Sequence, residues 1–535
     1  MTYFTAIIGN ACNAPEELAE LQYKNNSVSL YSDQSPRVHN FSMEEGHVCV
    51  CGIGFKRQGN GIEVLDKETW KRIVQRRETP CLGHFSIIRI EGDSVEVLTD
   101  PSGIGSVFYY QDKRYILVST KITGITDMLD ESAINWQAAG SIYANQSSLT
   151  SETEIRHIKK FLPGKKIRIL SSQMSVVRIS NNNKSCRVSK SPEHCLRNII
   201  NIRKQDISLS LSGGTDSRML LSYFLSENID INCHTFGQDE EADVIIARRI
   251  AGKLGVKHFV FNNHNNISVE DIGEYLSYNP FSSKIMRAGT KNDFIELNRE
   301  GLMVIDGAAG EFYRGFHRMK MLIFYSLGLR YPSYYVLDGS IPDIFNRSII
   351  SDMKKGAERH LINAFDSFSK QTRFKKINDY ILLERLMPSR YYREQSRMDI
   401  YIDSFMPLAQ KPMIESRNMS GERITEKNTK ANVQSLKEFP FVSGEGYQPF
   451  DFVKRHILKL MRNNQKRGIN YSVYILSNEH ISDILHSKAF TDISIFNNRK
   501  LKKIRDEFYS GRSAAADSLL TALSIYLPPQ FKFRK

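Results

Sequence analysis

The sequence contains no apolar run approaching the roughly 20 residues that cross a bilayer. Its longest candidates, such as MLIFYSLGL at 321–329, are far shorter and suit a buried helix. The start, MTYFTAIIGNACNAPEE, has no basic leader ahead of a long apolar stretch, so a soluble cytoplasmic protein with no membrane partner is expected. The seven cysteines (Cys12, Cys49, Cys51, Cys81, Cys186, Cys195, Cys233) are odd in number and form no C-x-x-C pair. That argues against zinc and iron–sulfur clusters and leaves reduced, mostly buried thiols as the expectation. The pattern G-x-x-x-x-G-K-S/T is absent, which excludes the γ-phosphate cradle of kinases and motor ATPases, and GIGFKRQG and GIGSVF both fail G-x-G-x-x-G. There is no internal repeat and no low-complexity tract; NNNK at 181–184 reads as a linker or turn. His84, His234, His258 and His264 have no partner spacing that argues for a metal or a catalytic triad.

What is present points to an ordinary packed protein. At 535 residues, two or three domains are expected, and 41% hydrophobic with 25% charged residues is close to the average for folded proteins. The net charge of +14 admits an anionic partner. Much of the excess sits in VKRHILKLMRNNQKR (453–467) and RKLKKIRDEF (499–508), where apolar residues near helical spacing make a solvated basic helix face as good an account as a binding patch.

Residues 1 to about 180 carry short apolar stretches between turn signals: YFTAIIG, HVCVCGIGF, GHFSIIRI, SVEVLTD, SVFYY, RYILVST and KKIRIL. That pattern predicts antiparallel hairpins. A helix then begins with Ser191 as cap and Pro192 in its first turn. From Ile207 the rhythm becomes strand, glycine turn, helix, strand, with IDINCHTF, VKHFVF and LMVIDG as further strands and Gly255 as a helix stop. An α/β fold follows: an antiparallel β-rich sandwich over 1–180, then a parallel-sheet domain over 190–535 that is mostly helical after about residue 312. Ligands in such sheets bind beyond the C-terminal strand ends.

The segment LSLSGGTDSRMLL (209–221) places Ser212-Gly213-Gly214-Thr215-Asp216-Ser217 between a strand and a helix N-terminus. Unpaired N–H groups and the helix dipole favour an anion there, and two glycines allow close backbone approach to phosphate oxygens. Ser212, Thr215 and Ser217 add hydroxyl donors, and Asp216 supplies the hard oxygen that Mg²⁺ needs beside a pyrophosphate. A capped glycine turn would also satisfy the sequence. The phosphate account of the loop explains more of its residues.

S-G-G-x-D-S resembles the pyrophosphate loop of the ATP pyrophosphatase (PP-loop) superfamily, in which ATP adenylates a substrate and pyrophosphate leaves. Within it, the chain resembles the asparagine synthetase family. TDPSGIGSVFYYQDKRYILVSTKITGI (99–125) is similar to the family's amino-terminal glutaminase stretch, LPGKKIRI (162–169) to the hinge hairpin after it, and TFGQDEEADVIIARRIAGKLGVKH (235–258) to its second strand and helix. The resemblance implies an Ntn-hydrolase-like sandwich followed by an adenine-nucleotide α-hydrolase-like domain. It implies ATP and Mg²⁺ as cofactors, with Leu211 and the Phe236-Gly237 turn at the edge that holds adenine, although a plain core role accounts for Phe236 equally well.

Two departures from the family bear on function. A working glutaminase of that type has Cys directly after the initiator Met; here Thr2 stands there, and CVCGIGF replaces the Asn-Gly segment that would hold glutamine. A glutaminase fold kept as scaffold is expected. In the family's metal loop, roughly SGEGSDEVFGGY, aligning RGF on GGY puts Glu311 on the family's Glu beside its metal Asp, Gly310 at that Asp and Gly307 at the catalytic Glu. Glu311 is then the expected second Mg²⁺ ligand, with Asp306 as the alternative, and Arg314 can neutralise phosphate charge. The family's C-terminal catalytic lysine is not singled out among Lys411, Lys427, Lys430 and Lys437.

The expected activity is an ATP-dependent ligase that adenylates a carboxylate and joins it to an amine without glutamine. That resembles β-lactam synthetases and the macrolactam synthetases of lasso peptides, for which a precursor peptide and a protease are partners. The alternatives are an asparagine-synthetase-like amidotransferase acting on a small molecule or polysaccharide, a tRNA-modifying enzyme, and a degenerate partner-binding protein. The strand-rich amino-terminal module and the absence of paired Cys argue against a nucleic-acid substrate.

Overall fold

The computed structural model describes residues 3–9, 20–129, 132–145, 147–163, 165–170, 173–178, 191–262, 267–282, 285–310, 341–369, 385, 387–420, 436, 439, 441–443, 446–448, 475–476, 478–511 and 515–528. All seven stretches read as strands in the first 180 residues are strands, from Phe4–Gly9 to Lys165–Leu170. They build two sheets. One has six strands in the order 159–160, 108–111, 115–119, 4–9, 28–32, 20–24, all antiparallel. The other runs 173–178, 165–170, 94–99, 82–91, 46–58, 61–64, 202–203, with Val38–Met43 paired on Gly46–Gln58.

The alternation in sequence explains how the sheets stack. Phe4, Ala6 and Ile8 of the first sheet meet Cys49, Ile88, Ile90, Val95 and Val97 of the second in one buried cluster. The outer face of the second sheet, with Val48, Val50 and Phe85, is covered by Trp70 and Val74 of helix Lys67–Gln75. The outer face of the first, with Ile7 and Leu117, is covered by Ile142, by Phe345, and by Met353 and Leu519 from the carboxyl-terminal helices. The layers therefore run helix, sheet, sheet, helix.

The third sheet has five strands in the order 258–261, 232–236, 206–210, 302–305, 404–405, all parallel. Leu302–Ile305 is buried at every position, the continuous apolar run expected of a parallel strand covered on both faces. Helix Thr215–Ser226 buries Leu220, Leu221 and Phe224, and helix Ala242–Leu254 buries Ile246, Ala247, Ile250 and Ala251 before stopping at Gly255 in the left-handed conformation, φ 70°. Ser191 caps helix Pro192–Ile200 by accepting from the His194 N–H. Strand order follows chain order outward from Asp206–Ser210 in one direction and Leu302–Ile305 in the other. The reversal between those two strands is the topological switch point.

Several expectations are corrected. Ser404–Phe405 is a fifth parallel strand, and Phe441–Ser443 pairs with Gly446–Gln448, inside a region read as helical. Two-residue and three-residue strands carry too little periodicity to register in sequence. Cys49, Cys51, Cys195 and Cys233 are free and buried, but Cys81 is disulfide-bonded. An odd cysteine count with no C-x-x-C pair carries no signal for a single disulfide. The basic helix Asn498–Tyr509 packs through Leu501 and Phe508 and turns Lys502 and Lys503 to solvent. No described helix is long and apolar enough to cross a membrane.

Candidate functional site

The glycine loop leaves the C-terminal end of the Asp206–Ser210 strand at the switch point. Leu211 anchors its base: the side chain is buried in the core, its N–H donates 2.8 Å to the His234 carbonyl, and its carbonyl accepts from Thr235 Oγ1 at 2.7 Å. Ser212 and Ser217 close the turn, with their hydroxyls 3.1 Å apart and the Ser212 N–H donating 3.1 Å to Ser217 Oγ. The Gly214 N–H donates 3.1 Å to Ser212 Oγ. Helix Thr215–Ser226 begins with Gly214 at the N-cap, which makes no side-chain cap hydrogen bond, and Asp216 sits in the first turn.

The loop after Leu302–Ile305 lies against this turn. A Cβ on Gly310 would fall 2.2 Å from Asp216 Cγ, and one on Gly307 would fall 3.2 Å from the Ser217 amide nitrogen. Gly310 is therefore required by close approach, and Gly307 sits where a side chain would be tight. The position aligned with the family's metal Asp has no room for a side chain, because the Asp216 carboxyl already fills it. Asp306 accepts the Ala308 N–H at 2.8 Å. Glu311 and Arg314, expected to supply the second Mg²⁺ ligand and a phosphate-facing charge, lie outside the described residues, as do Thr2, His264, Lys427, Lys430 and Lys437. Of the lysine candidates, Lys411 is directed 3.9 Å from Glu415, and its backbone N–H donates 2.8 Å to Ser102 of the sandwich.

Mg²⁺ at such a site takes phosphate and water oxygens as well as one or two carboxylates. Among the described residues no group of three His, Cys, Asp or Glu is placed to hold a metal. Asp216, in its space under Gly310, and Asp306, on the facing loop, are the carboxylates that would hold it. At the next strand end, Gly237 is held at φ 143° and its N–H donates 2.9 Å to the Phe261 carbonyl. The Phe236 ring packs on His234, Phe261 and Phe294 at 5.1 to 5.8 Å between centroids.

Two charged residues bonded to this loop, and an ion pair near it, had no signal in the motif. Asp243 Oδ1 accepts the Gly213 N–H at 2.6 Å. Arg218, fully buried, donates through Nη2 to the Gly213 carbonyl and through Nη1 to the Phe439 carbonyl, each at 3.0 Å. Burial pulls its guanidinium down to about 10 against the opposing charge of Asp243. Arg287 pairs with Glu394 at 2.8 Å. The Glu394 charge holds Arg287 well above its usual value, and Asp306 adds to this. Burial tends to raise Glu394, but Arg287 and Arg397 outweigh it and hold the carboxyl at about 2.

Each of the described candidate histidines engages one ring nitrogen within the fold, while His84 Nδ1 and His234 Nε2 are buried without a partner among the described residues. His234 Nδ1 is 2.8 Å from Ser208 Oγ, His258 Nε2 is 2.8 Å from Thr235 Oγ1, and His84 Nε2 is 2.9 Å from Asp399 Oδ1. The free thiols are not nucleophiles in waiting. Burial pushes Cys49 and Cys51 far up, Cys195 to about 11 and Cys233 to about 12.

No family model matches the chain, and no curated protein matches it. Among solved structures, the chain is similar to glutamine phosphoribosylpyrophosphate amidotransferase from B. subtilis, complexed with ADP and GMP, at 9% identity over 50% of this chain and 85% of that one, with a TM-score of 0.21. NMN synthetase from Francisella tularensis aligns at 14% identity over 36% and 86%, TM-score 0.17. Glutamine-dependent NAD+ synthetase from Acinetobacter baumannii, in complex with ADP, aligns at 12% identity over 45% and 52%, TM-score 0.18. Likenesses this weak carry no argument about function, which has to rest on the chain's own residues.

Proposed function

We propose that this chain is an ATP-dependent amide-bond-forming ligase of the asparagine synthetase type. It adenylates a carboxylate, releases pyrophosphate and passes the acyl group to an amine without hydrolysing glutamine. The observation that carries this is the glycine loop, which opens onto a helix start with no cap side chain at the switch point of a parallel sheet. The substrate carboxylate attacks the α-phosphorus, the bond to the β-phosphate bridging oxygen breaks, and the electron pair leaves on pyrophosphate. The helix N-terminus, equivalent to about half a positive charge, stabilises that departing anion. Mg²⁺, held by Asp216 with Asp306 or Glu311, would spread the charge on the phosphate oxygens. The amine then adds to the acyl carbon, loses a proton, and AMP departs.

In this account residues 1–180 are a glutaminase-like scaffold and residues 190–535 the synthetase unit. The amine comes from the substrate itself, and a peptide closing a macrolactam suits the basic surface of the chain, whose net charge is +14. The test is exchange of labelled pyrophosphate into ATP across a panel of carboxylates and peptides, followed by product analysis. Carboxylate-dependent exchange with AMP as the nucleotide product is expected. Release of ADP and phosphate in its place would contradict the assignment.

A further inference from the structure

We propose that Asp243 and Arg218 are positioning residues of the nucleotide site, clamping the two backbone groups of Gly213 so that the glycine loop is set to receive the β- and γ-phosphates. The proposal rests on the phosphate-loop account above and adds to it the device that holds the loop in shape.

Two adjacent glycines give a loop wide conformational freedom, and that freedom has to be removed before a polyphosphate can be bound well. Ser212 and Ser217 brace the loop at its ends. Gly213 itself has no side chain, and it is held from outside on both sides. Its N–H donates to Asp243 Oδ1 at 2.6 Å and its carbonyl accepts from Arg218 Nη2 at 3.0 Å. Asp243 belongs to the first turn of helix Ala242–Leu254 and Arg218 to the first turns of helix Thr215–Ser226, so two rigid elements fix the peptide planes either side of one residue.

The chemistry of Arg218 points the same way. A fully buried guanidinium is expensive, and an apolar side chain of similar volume would serve a purely structural core position as well. Here the cation reaches two backbone carbonyls, Gly213 in the loop and Phe439 far along the chain, while Arg249 lies 5.8 Å over the Phe439 ring. The Asp243 carboxylate lies across the Gly213 peptide group from it, and the two charges favour one another. The pair therefore sets the loop from behind, leaving the phosphate-facing side to the helix start and Asp216.

The experiment is calorimetric titration of the full chain with Mg·ATP and, separately, with AMP, which lacks the β- and γ-phosphates. Asp243→Ala is expected to weaken Mg·ATP at least tenfold with AMP affinity unchanged, and Asp243→Asn, which keeps an acceptor oxygen, to restore most of the loss. Arg218→Met should follow Asp243→Ala; if it fails to fold, the two Asp243 variants decide. Folded variants that bind Mg·ATP as the wild type does, or that lose ATP and AMP in equal proportion, would overturn the proposal. A wild type that binds neither nucleotide would instead remove the phosphate-loop account on which the proposal stands.

Discussion

At the scale of single residues, the site is defined as much by what is missing as by what is present. Gly310 stands where the resembled family carries an acid, and a Cβ there would fall 2.2 Å from Asp216 Cγ. The geometry predicts that Gly310→Ala displaces Asp216, costing about 1–3 kcal/mol of stability and most of the affinity for Mg·ATP. Gly310→Asp, which restores the family residue, should be worse than Ala rather than better; thermal melts and nucleotide titration of the two variants check this. The motif residues 211–217 were legible because glycine and hydroxyl residues between a strand and a helix have a local physical signature. Asp243 and Arg218 were not, since their partners are backbone groups that any sequence would supply.

At the scale of elements, the parallel sheet carries two histidines that titrate against the fold. Burial pulls His234 down to about 3 and His258 to about 4, the first on the strand beside the one that carries the glycine loop and the second on the edge strand beyond it. Above about pH 7.5 both are neutral whether the chain is folded or not. As pH falls from 6.5 towards 4, the unfolded chain takes up protons that the folded sheet refuses, so stability drops by about 1.4 kcal/mol per pH unit for each histidine. Urea unfolding of wild type and His234→Gln between pH 7 and 4.5 should show the wild type losing stability more steeply, by the share of that one histidine. Parallel slopes would contradict it. The five-stranded sheet was legible in its four longer strands, where the apolar run and the glycine punctuation coincide. The fifth, Ser404–Phe405, and the Ile202–Arg203 strand that joins the amino-terminal sheet were not, because two residues placed by tertiary pairing have no period of their own.

At the scale of the whole molecule, the two halves are joined by buried polar contacts that composition cannot reveal. Arg393 Nη2 pairs with Glu154 at 3.0 Å, with Glu154 only 2% exposed, and the Lys160 ammonium lies 3.6 Å over the Tyr392 ring. Removing one partner of a buried pair leaves the other charge stranded, so Arg393→Ala and Glu154→Ala should each cost about 3–5 kcal/mol. The double variant should cost far less than their sum, as denaturant unfolding of the three proteins would measure. Such an interface lets the amino-terminal sandwich brace the carboxyl-terminal half. The central claim concerns the bend after Asp206–Ser210, and titration of the intact chain with Mg·ATP, beside Asp216→Ala, tests it most directly. The account predicts saturable binding by the wild type and its loss in a variant that melts at the same temperature; equal binding by both proteins, or none by the wild type, would contradict it.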